Sequence, residues 1–232
     1  MSPVYVALDT TDLDYARQLA KRVRGSVGGL KLGLEFFNAH GPEGVRAFQG
    51  TGLPIFLDLK LHDIPNTVAG AAKAAAGLGV SLLNVHAQGG AAMMRAALEA
   101  TRSVSPSTRL IAVTMLTSLA DEDLPSVGLT PPVADQVLRL ALLARQSGLD
   151  GVVCSAHEIH RLRKELGPDF LLVVPGIRPA GAAVGDQRRV TGPAQALEAG
   201  ADILVVGRPI TAASDPGLAA QAIAQSLGIP AA

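Results

Sequence analysis

Two carboxylates and an ammonium group follow one another at the end of an apolar run, in the string Asp58-x-Lys60-x-x-Asp63. Residues two apart in a strand point to the same face, so Asp58 and Lys60 should lie side by side. Lys31 stands in the middle of another apolar run, where a solvated lysine is not expected. Burying a lone ionisable group costs several kcal/mol, so these side chains must either pair with one another or take part in chemistry.

Two interpretations of this charged string remain open. In the first, Lys60 and the carboxylates form an ion pair that only stabilises the fold. In the second, the carboxylates keep Lys60 protonated so that it can donate a proton to a substrate. An opposite charge about 4 Å away favours the protonated form by roughly 4 kcal/mol at an effective dielectric of about 20, before the cost of desolvation is subtracted.

Asp9 ends the first apolar run and has two interpretations as well. It either caps the following helix, as Thr10 or Thr11 could, or accepts a hydrogen bond from a substrate hydroxyl.

A second group of residues has the composition of a phosphate site. Two late apolar runs end in Gly-Ile-Arg178 and in Gly207-Arg208. Glycine lets the backbone approach an anion closely, and arginine offers it two parallel donors. The segment 178–189 is rich in glycine and alanine, as in a mobile lid, and carries Gln187 as a candidate contact to a ligand. An ordinary surface loop with solvated arginines is the alternative.

These residues lie at the ends of short β-branched runs that recur about every 28 residues, close to the length of one βαβ unit. The runs begin near Val4, Gly29, Pro54, Leu82, Arg109, Gly151, Phe170 and Asp202. Helical patterns lie between and after them, at 12–23, 42–49, 67–78, 91–102, 134–147, 157–166, 193–199 and 218–227. Continuous apolar runs are typical of parallel strands covered on both faces, and eight repeats favour an α/β fold of the (β/α)8 TIM barrel type over an open doubly wound sheet.

The chain reads as a single catalytic domain over residues 1–232, because no linker rich in Pro, Ser or Gly divides it. The longest insertion, 118–132, is expected to be a solvated loop with a short helix. In a barrel of this kind the active site lies at the carboxyl ends of the strands, where the charged string and both arginines fall.

The composition excludes several classes of protein. The 232 residues include 20 basic and 20 acidic side chains, so neither nucleic acid nor a membrane surface is an expected partner. The single cysteine, Cys154, cannot form an internal disulfide and is predicted to lie in the core. His62 and His86 could line the site, but neither has an identifiable base or metal partner. No 18-residue stretch predicts a membrane span and the N-terminal residues do not resemble a signal peptide, so we expect a cytoplasmic globular protein.

The ten-residue string from Asp58 to Thr67, which reads DLKLHDIPNT, resembles the signature of the orotidine 5′-phosphate decarboxylase family, the last enzymes of UMP biosynthesis. The DxKxxD part alone is shared with a wider barrel superfamily, but the full string with its flanking motifs is specific. The resemblance covers essentially the whole chain, through Leu8-Asp9, Leu30-Lys31-Leu32-Gly33, Asn84-Val85-His86-Ala87, Val113-Thr114-Met115-Leu116-Thr117-Ser118, Pro175-Gly176-Ile177-Arg178, Asp186-Gln187 and Gly207-Arg208. No motif position departs from the pattern.

The resemblance implies a carboxy-lyase that converts orotidine 5′-monophosphate to UMP and carbon dioxide without metal or cofactor. It implies that Lys60 protonates C6 after carbon dioxide leaves and that Asp58 lies against the substrate carboxylate. It also implies a homodimer in which Asp63 and Thr67 reach the site of the partner subunit. The remaining matched residues would bind substrate: Asp9 and Lys31 at the ribose hydroxyls, Thr117 and Ser118 at the pyrimidine edge, and Arg178, Gln187, Gly207 and Arg208 at the 5′-phosphate.

The chemistry of that reaction agrees with these residue types. Loss of carbon dioxide from C6 leaves a carbanion with no adjacent carbonyl to take up the charge, so the site must stabilise it electrostatically, as a fixed ammonium does. One alternative is a Mg²⁺-dependent phosphosugar decarboxylase or aldolase of the same superfamily, in which Glu35 and the aspartates of the string would bind the ion. Another is a catalytically silent nucleotide-binding barrel, against which the intact Lys60 argues.

Overall fold

Eight parallel strands close into a barrel in chain order, because the first strand pairs with both the second and the eighth. The structure is a computed structural model that describes residues 2–179 and 191–229. The strands are Val4–Ala7 (β1), Gly29–Leu32 (β2), Ile55–Leu61 (β3), Leu82–His86 (β4), Arg109–Val113 (β5), Gly151–Val153 (β6), Leu171–Val174 (β7) and Ile203–Val206 (β8). This architecture confirms the (β/α)8 barrel predicted from the repeat.

Helices separate successive strands and pack around the barrel. Within the described residues they are Leu13–Val23 (α1), Leu34–Arg46 (α2), Pro65–Ala76 (α3), Gly90–Val104 (α4), Val133–Gln146 (α5), Ile159–Leu166 (α6), Pro193–Glu198 (α7), Arg208–Thr211 (α8) and Pro216–Ser226 (α9). Short 3-10 helices lie at Gln49–Thr51, Ala87–Gly89, Asp121–Val127 and Ala156–Glu158. The third of these confirms the short helix predicted in the insertion 118–132. None of these helices is long and apolar enough to cross a membrane.

The second helix differs from its prediction. The sequence pattern placed it at 42–49, whereas α2 begins at Leu34, immediately after β2 and Gly33. The apolar run that begins at Gly29 continues to Leu34, but the strand ends at Leu32 and the helix begins at Leu34. A kink at Gly41, with a φ of 56°, and the proline that follows interrupt the helical pattern and conceal its first half.

Side chains inside the barrel change character along the strand direction. Ala7, Phe56, Leu82, Ile111, Val173 and Val205 form a buried cluster that we call the inner apolar layer. Inner-facing residues two positions further along their strands include Asp58 after Phe56 and Asn84 after Leu82, because successive side chains alternate between faces. The strands therefore place hydrocarbon deep in the barrel and polar groups nearer to its carboxyl-terminal mouth. Cys154 is buried in the other core, between barrel and helices, as predicted.

Candidate active site

Lys31 points into the barrel from a strand that is buried at every position. It lies in register with Ala7 of β1 and Phe56 of β3, both members of the inner apolar layer. Its Nζ atom is 2.8 Å from Oδ1 of Asp9 and 3.4 Å from Oδ2 of Asp58. The lysine is thus buried between two carboxylates, as an ionised amine in this environment requires.

Lys60 contacts the same central carboxylate from the other side. Its Nζ atom donates to Oδ1 of Asp58 at 2.6 Å, and its side chain remains 30% exposed. These four side chains lie next to one another in space in the order Asp9, Lys31, Asp58 and Lys60, so that anion and cation alternate. We call them the charged row. The predicted proximity of Asp58 and Lys60 is confirmed, but strand alternation does not produce it, because β3 is irregular here and Lys60 has a φ of 51°.

Burial and neighbouring cations act in opposite directions on Asp58. Burial favours its neutral form, but Lys31 and Lys60, with hydrogen bonds from Lys60 and Asn84, outweigh this effect and hold the pKa of Asp58 below its ordinary value. Asp58 therefore carries its negative charge at neutral pH. This charge is what keeps two ammonium groups in one small buried volume.

Asn84 joins the charged row, a role that the residue pattern did not predict. Its side chain is fully buried, its Nδ2 donates to Oδ1 of Asp58 at 2.7 Å, and its Oδ1 accepts from the backbone N–H of Lys60 at 2.8 Å. A signal was present in the sequence, since an asparagine in the apolar run of β4 needs buried partners for both ends of its amide.

His86 and His62 lie beside Lys60. Their ring centroids are 5.4 Å apart. Burial, followed by the charges of His62 and Lys60, lowers the pKa of His86 to about 4. His86 is therefore neutral at physiological pH and adds no positive charge to the charged row.

A cavity of about 390 Å³ opens at the carboxyl ends of the strands and joins Asp9, Lys31 and Asp58 of the charged row to the predicted phosphate residues. Its lining consists of Ala7, Asp9, Lys31, Asp58, Pro175, Gly176, Arg178, Val205, Gly207, Arg208 and Thr211. Six of these residues were predicted from sequence, and they converge from β1, β2, β3 and the segments after β7 and β8. Two arginines at one side of the cavity and a row of alternating charges at the other suit a substrate with a remote anionic group.

Other predicted residues do not line this cavity. Lys60 is one of them, and it adjoins the cavity through its contact with Asp58. Asp63 and Thr67 are exposed beyond the end of β3. Among the residues that the structure describes, Asp63 accepts only from the backbone N–H of its neighbour Ile64, at 2.6 Å. Thr117 is half-buried and Ser118 exposed, in the turn that follows β5. Gln187 lies outside the described residues.

The interpretation of Asp9 as a helix cap is wrong. The cap of α1 is Asp12, whose side chain accepts from the backbone N–H of Tyr15 at 2.9 Å. Asp9 instead directs its carboxylate to Lys31, with half of its side chain exposed to the cavity. This arrangement leaves Asp9 available to a ligand.

The side chains of Asp9 and Lys31 approach Gly33 so closely that a β-carbon there would collide with them. A first prediction follows from this contact. A methyl group on Gly33 would lie 2.7 Å from Oδ1 of Asp9 and 2.7 Å from Nζ of Lys31. We expect Gly33→Ala to separate this pair and to lower kcat/KM at least about tenfold, since small misplacements of catalytic groups are costly. The free energy of unfolding should fall by less than about 1 kcal/mol, because the methyl group meets the mobile ends of two side chains.

Gly50→Ala is the matched control, because a methyl group there meets no atom within 4 Å. Its free energy of unfolding should stay within about 0.5 kcal/mol of the unmodified protein. Urea unfolding and steady-state kinetics measure both variants. Equal behaviour of the two would show that the Asp9–Lys31 contact is unimportant.

The described residues contain no group of three His, Cys, Asp or Glu side chains that could hold a metal ion. Glu35, the candidate ligand of the magnesium-dependent alternative, lies exposed in the first turn of α2 and does not join Asp58 and Asp63 in such a group.

Comparison with known proteins identifies the family. Residues 2–223 match the family described as orotidine 5′-phosphate decarboxylase / HUMPS. A relative from Paramagnetospirillum magneticum named orotidine 5′-phosphate decarboxylase is 53% identical over 99% of this chain and 100% of its own length. Another of that name from Sphingopyxis alaskensis is 57% identical over 97% of this chain and 99% of its own.

A solved structure agrees with these relatives. The crystal structure of orotidine 5′-phosphate decarboxylase from Lactobacillus acidophilus matches with a TM-score of 0.87 and 40% identity, over 98% of this chain and 99% of that chain. The chain belongs to the orotidine 5′-phosphate decarboxylase / HUMPS family, as the resemblance of its charged string implied.

Proposed function

We propose that the protein is an orotidine 5′-phosphate decarboxylase that converts orotidine 5′-monophosphate to UMP and carbon dioxide, with Lys60 as the acid. The observation that carries this proposal is the charged row, of which Asp9, Lys31 and Asp58 line a cavity with two arginines. Curated relatives with that enzyme name, which are 51–57% identical to this chain, support the same activity.

The reaction breaks the bond between C6 and the carboxylate, and the electron pair stays on C6. The ammonium of Lys60 stabilises this carbanion as it forms and then transfers a proton to C6. Asp58 faces the substrate carboxylate, whose charge is lost as carbon dioxide departs, so their repulsion is greatest in bound substrate and weaker in the transition state. Lys60 becomes neutral in this step and regains a proton from water.

The far side of the cavity holds the 5′-phosphate. Arg208 and Arg178 supply charged donors, and Gly207 lets the backbone approach the anion. Gln187 is a further proposed phosphate contact. Binding energy from this remote group positions the pyrimidine ring beside Lys60. The phosphate contacts thereby lower the barrier to decarboxylation, although they do not touch the reacting atoms.

The remaining substrate contacts follow from the positions of the predicted residues. Asp9 and Lys31 line the same cavity as the two arginines and Asp58, and we propose that they form hydrogen bonds to the ribose hydroxyls. Thr117 and Ser118 lie in the turn after β5 and are proposed to contact the pyrimidine edge. We assign the reaction to the cytoplasm, as expected from the sequence. We propose no nucleic acid or membrane as partner, because the charge of the chain balances.

The active site is completed by a second copy of the chain. The segment 63–67 is exposed in the single chain, and Ile64 at its centre is 67% exposed. Asp63 makes no ion pair with the described residues, although it belongs to the charged string. We infer that this segment packs at a homodimer interface, where Asp63 and Thr67 enter the site of the partner.

The test of the proposed activity is an assay without added metal. We expect the loss of orotidine 5′-monophosphate, followed by ultraviolet absorbance, to proceed at an unchanged rate after treatment with EDTA. Chelation acts on a metal cofactor and leaves the ammonium of Lys60 untouched. Complete loss of activity that magnesium restores would instead favour the phosphosugar enzyme, with Glu35 as a ligand.

A further inference from the structure

The third and fourth strands fall out of register where Lys60 is located. Leu57 pairs with Leu83, yet the next pair joins Leu61 to Val85. Between these two pairs β3 advances by four residues and β4 by two, so β3 carries two extra residues. Such a bulge leaves backbone groups without a ladder partner and redirects side chains.

Lys60 occupies the most unusual backbone position of this bulge. Its φ of 51° is the sole positive value among the non-glycine residues of the described chain. A residue with a β-carbon is strained there and needs support from its surroundings. Its backbone N–H donates to Oδ1 of Asn84, at 2.8 Å, and not to a backbone carbonyl of the neighbouring strand.

Asn84 is the residue of β4 that faces this bulge, since it lies between Leu83 and Val85. The other end of its amide donates to Oδ1 of Asp58, the oxygen that also accepts from Nζ of Lys60. One fully buried side chain thereby holds the backbone of Lys60 and the carboxylate that its ammonium contacts.

We propose that Asn84 is a positioning residue for the decarboxylation: it fixes the bulge of β3 and thereby sets the ammonium of Lys60 on Asp58. This inference rests on the proposed role of Lys60. Asn84 acts through Lys60 and Asp58. It needs no contact with the substrate.

Two variants of Asn84 test the proposal, with one control. Asn84→Leu keeps the approximate volume and removes both hydrogen bonds. Asn84→Asp keeps the acceptor for Lys60 N–H but replaces the donor to Asp58. The control is Thr108→Val, because Thr108 is buried at the opposite end of the barrel and donates to the carbonyl of Val80 at 2.6 Å.

For Asn84→Leu we expect kcat to fall about 10²-fold, which is the effect of misplacing a catalytic group by about 1 Å. The dissociation constant of UMP should stay within about threefold of the wild-type value, because the arginine side of the cavity is intact. Thr108→Val should lower the thermal midpoint and leave kcat unchanged. The split between kcat and UMP affinity separates positioning from a general loss of structure.

For Asn84→Asp the readout is a pH profile. A second carboxylate 2.7 Å from Asp58 has a raised pKa, since two adjacent anions repel. Its protonated form donates to Asp58 as the amide does, and its ionised form cannot. We therefore expect the ratio of variant to wild-type kcat to rise at least about tenfold from pH 8 to pH 5.5.

The proposal is overturned if Asn84→Leu folds and keeps kcat within about threefold, or if kcat and UMP affinity fall together. Should Asn84→Leu fail to fold, the Asn84→Asp profile decides, and a profile parallel to the wild type rejects the proposal. An error in the role of Lys60 is recognised separately, because a Lys60→Ala variant would then stay active.

Discussion

Lys60→Ala should lose at least about 10⁴-fold in kcat while it still binds UMP. If Lys60 is the acid, the variant removes a general acid, worth about 10²–10⁴-fold, and the positive charge that would stabilise the carbanion, worth about 10²–10³-fold more. UMP carries no carboxylate at C6, and in the proposed complex its phosphate contacts the arginines of the cavity, which does not include Lys60 in its lining. We therefore expect its dissociation constant to change by less than about tenfold.

The measurement combines the absorbance assay with calorimetric titration of UMP. Lys21→Ala is the matched control, because this lysine is exposed on α1 and does not belong to the charged row. Near-normal turnover of Lys60→Ala would show that another group supplies the proton. Loss of UMP binding together with turnover would point to a collapse of the cavity, and circular dichroism distinguishes that case.

Two inactive variants should restore activity when they are mixed. If Asp63 enters the site of the partner, a heterodimer of Lys60→Ala and Asp63→Ala chains contains one complete site, formed by Lys60 of one chain and Asp63 of the other. Random reassortment of equal amounts makes half of the dimers mixed, so about a quarter of the wild-type activity should return.

The mixing experiment distinguishes an Asp63 that enters the site of the partner chain from an Asp63 that serves its own chain. If Asp63 served its own chain, neither site of the heterodimer would be complete and no activity would return. Subunit exchange must be confirmed independently, by mass spectrometry of tagged chains. Each variant incubated with itself provides the background rate. No recovery after confirmed exchange would contradict the shared site.

The barrel was predictable because its signal is repeated. Each strand is a nearly continuous apolar run, and the spacing of about 28 residues recurs along the whole chain. The helix α2 was misplaced for a local reason, since Gly33 and Gly41 alter the backbone within one apolar pattern. A periodicity argument contains no information on such single-residue breaks.

The charged row was predictable in membership but not in geometry. Lys31 and Asp58 follow from charges within apolar runs, and the cavity contains both. The position of Lys60 depends on a register shift between β3 and β4, and pairing between strands cannot be read from one strand alone. The contact with Asn84 was missed for the same reason, because its partners come from another strand.

The inner apolar layer bears on how Lys60 would recover a proton after each turnover. Side chains such as Phe56, Ile111 and Val173 place a buried layer of hydrocarbon inside the barrel, and hydrocarbon offers water no hydrogen-bond partners. The side chain of Lys60, in contrast, is 30% exposed. If Lys60 is the acid, solvent on the exposed side of this lysine would therefore be the source of its proton.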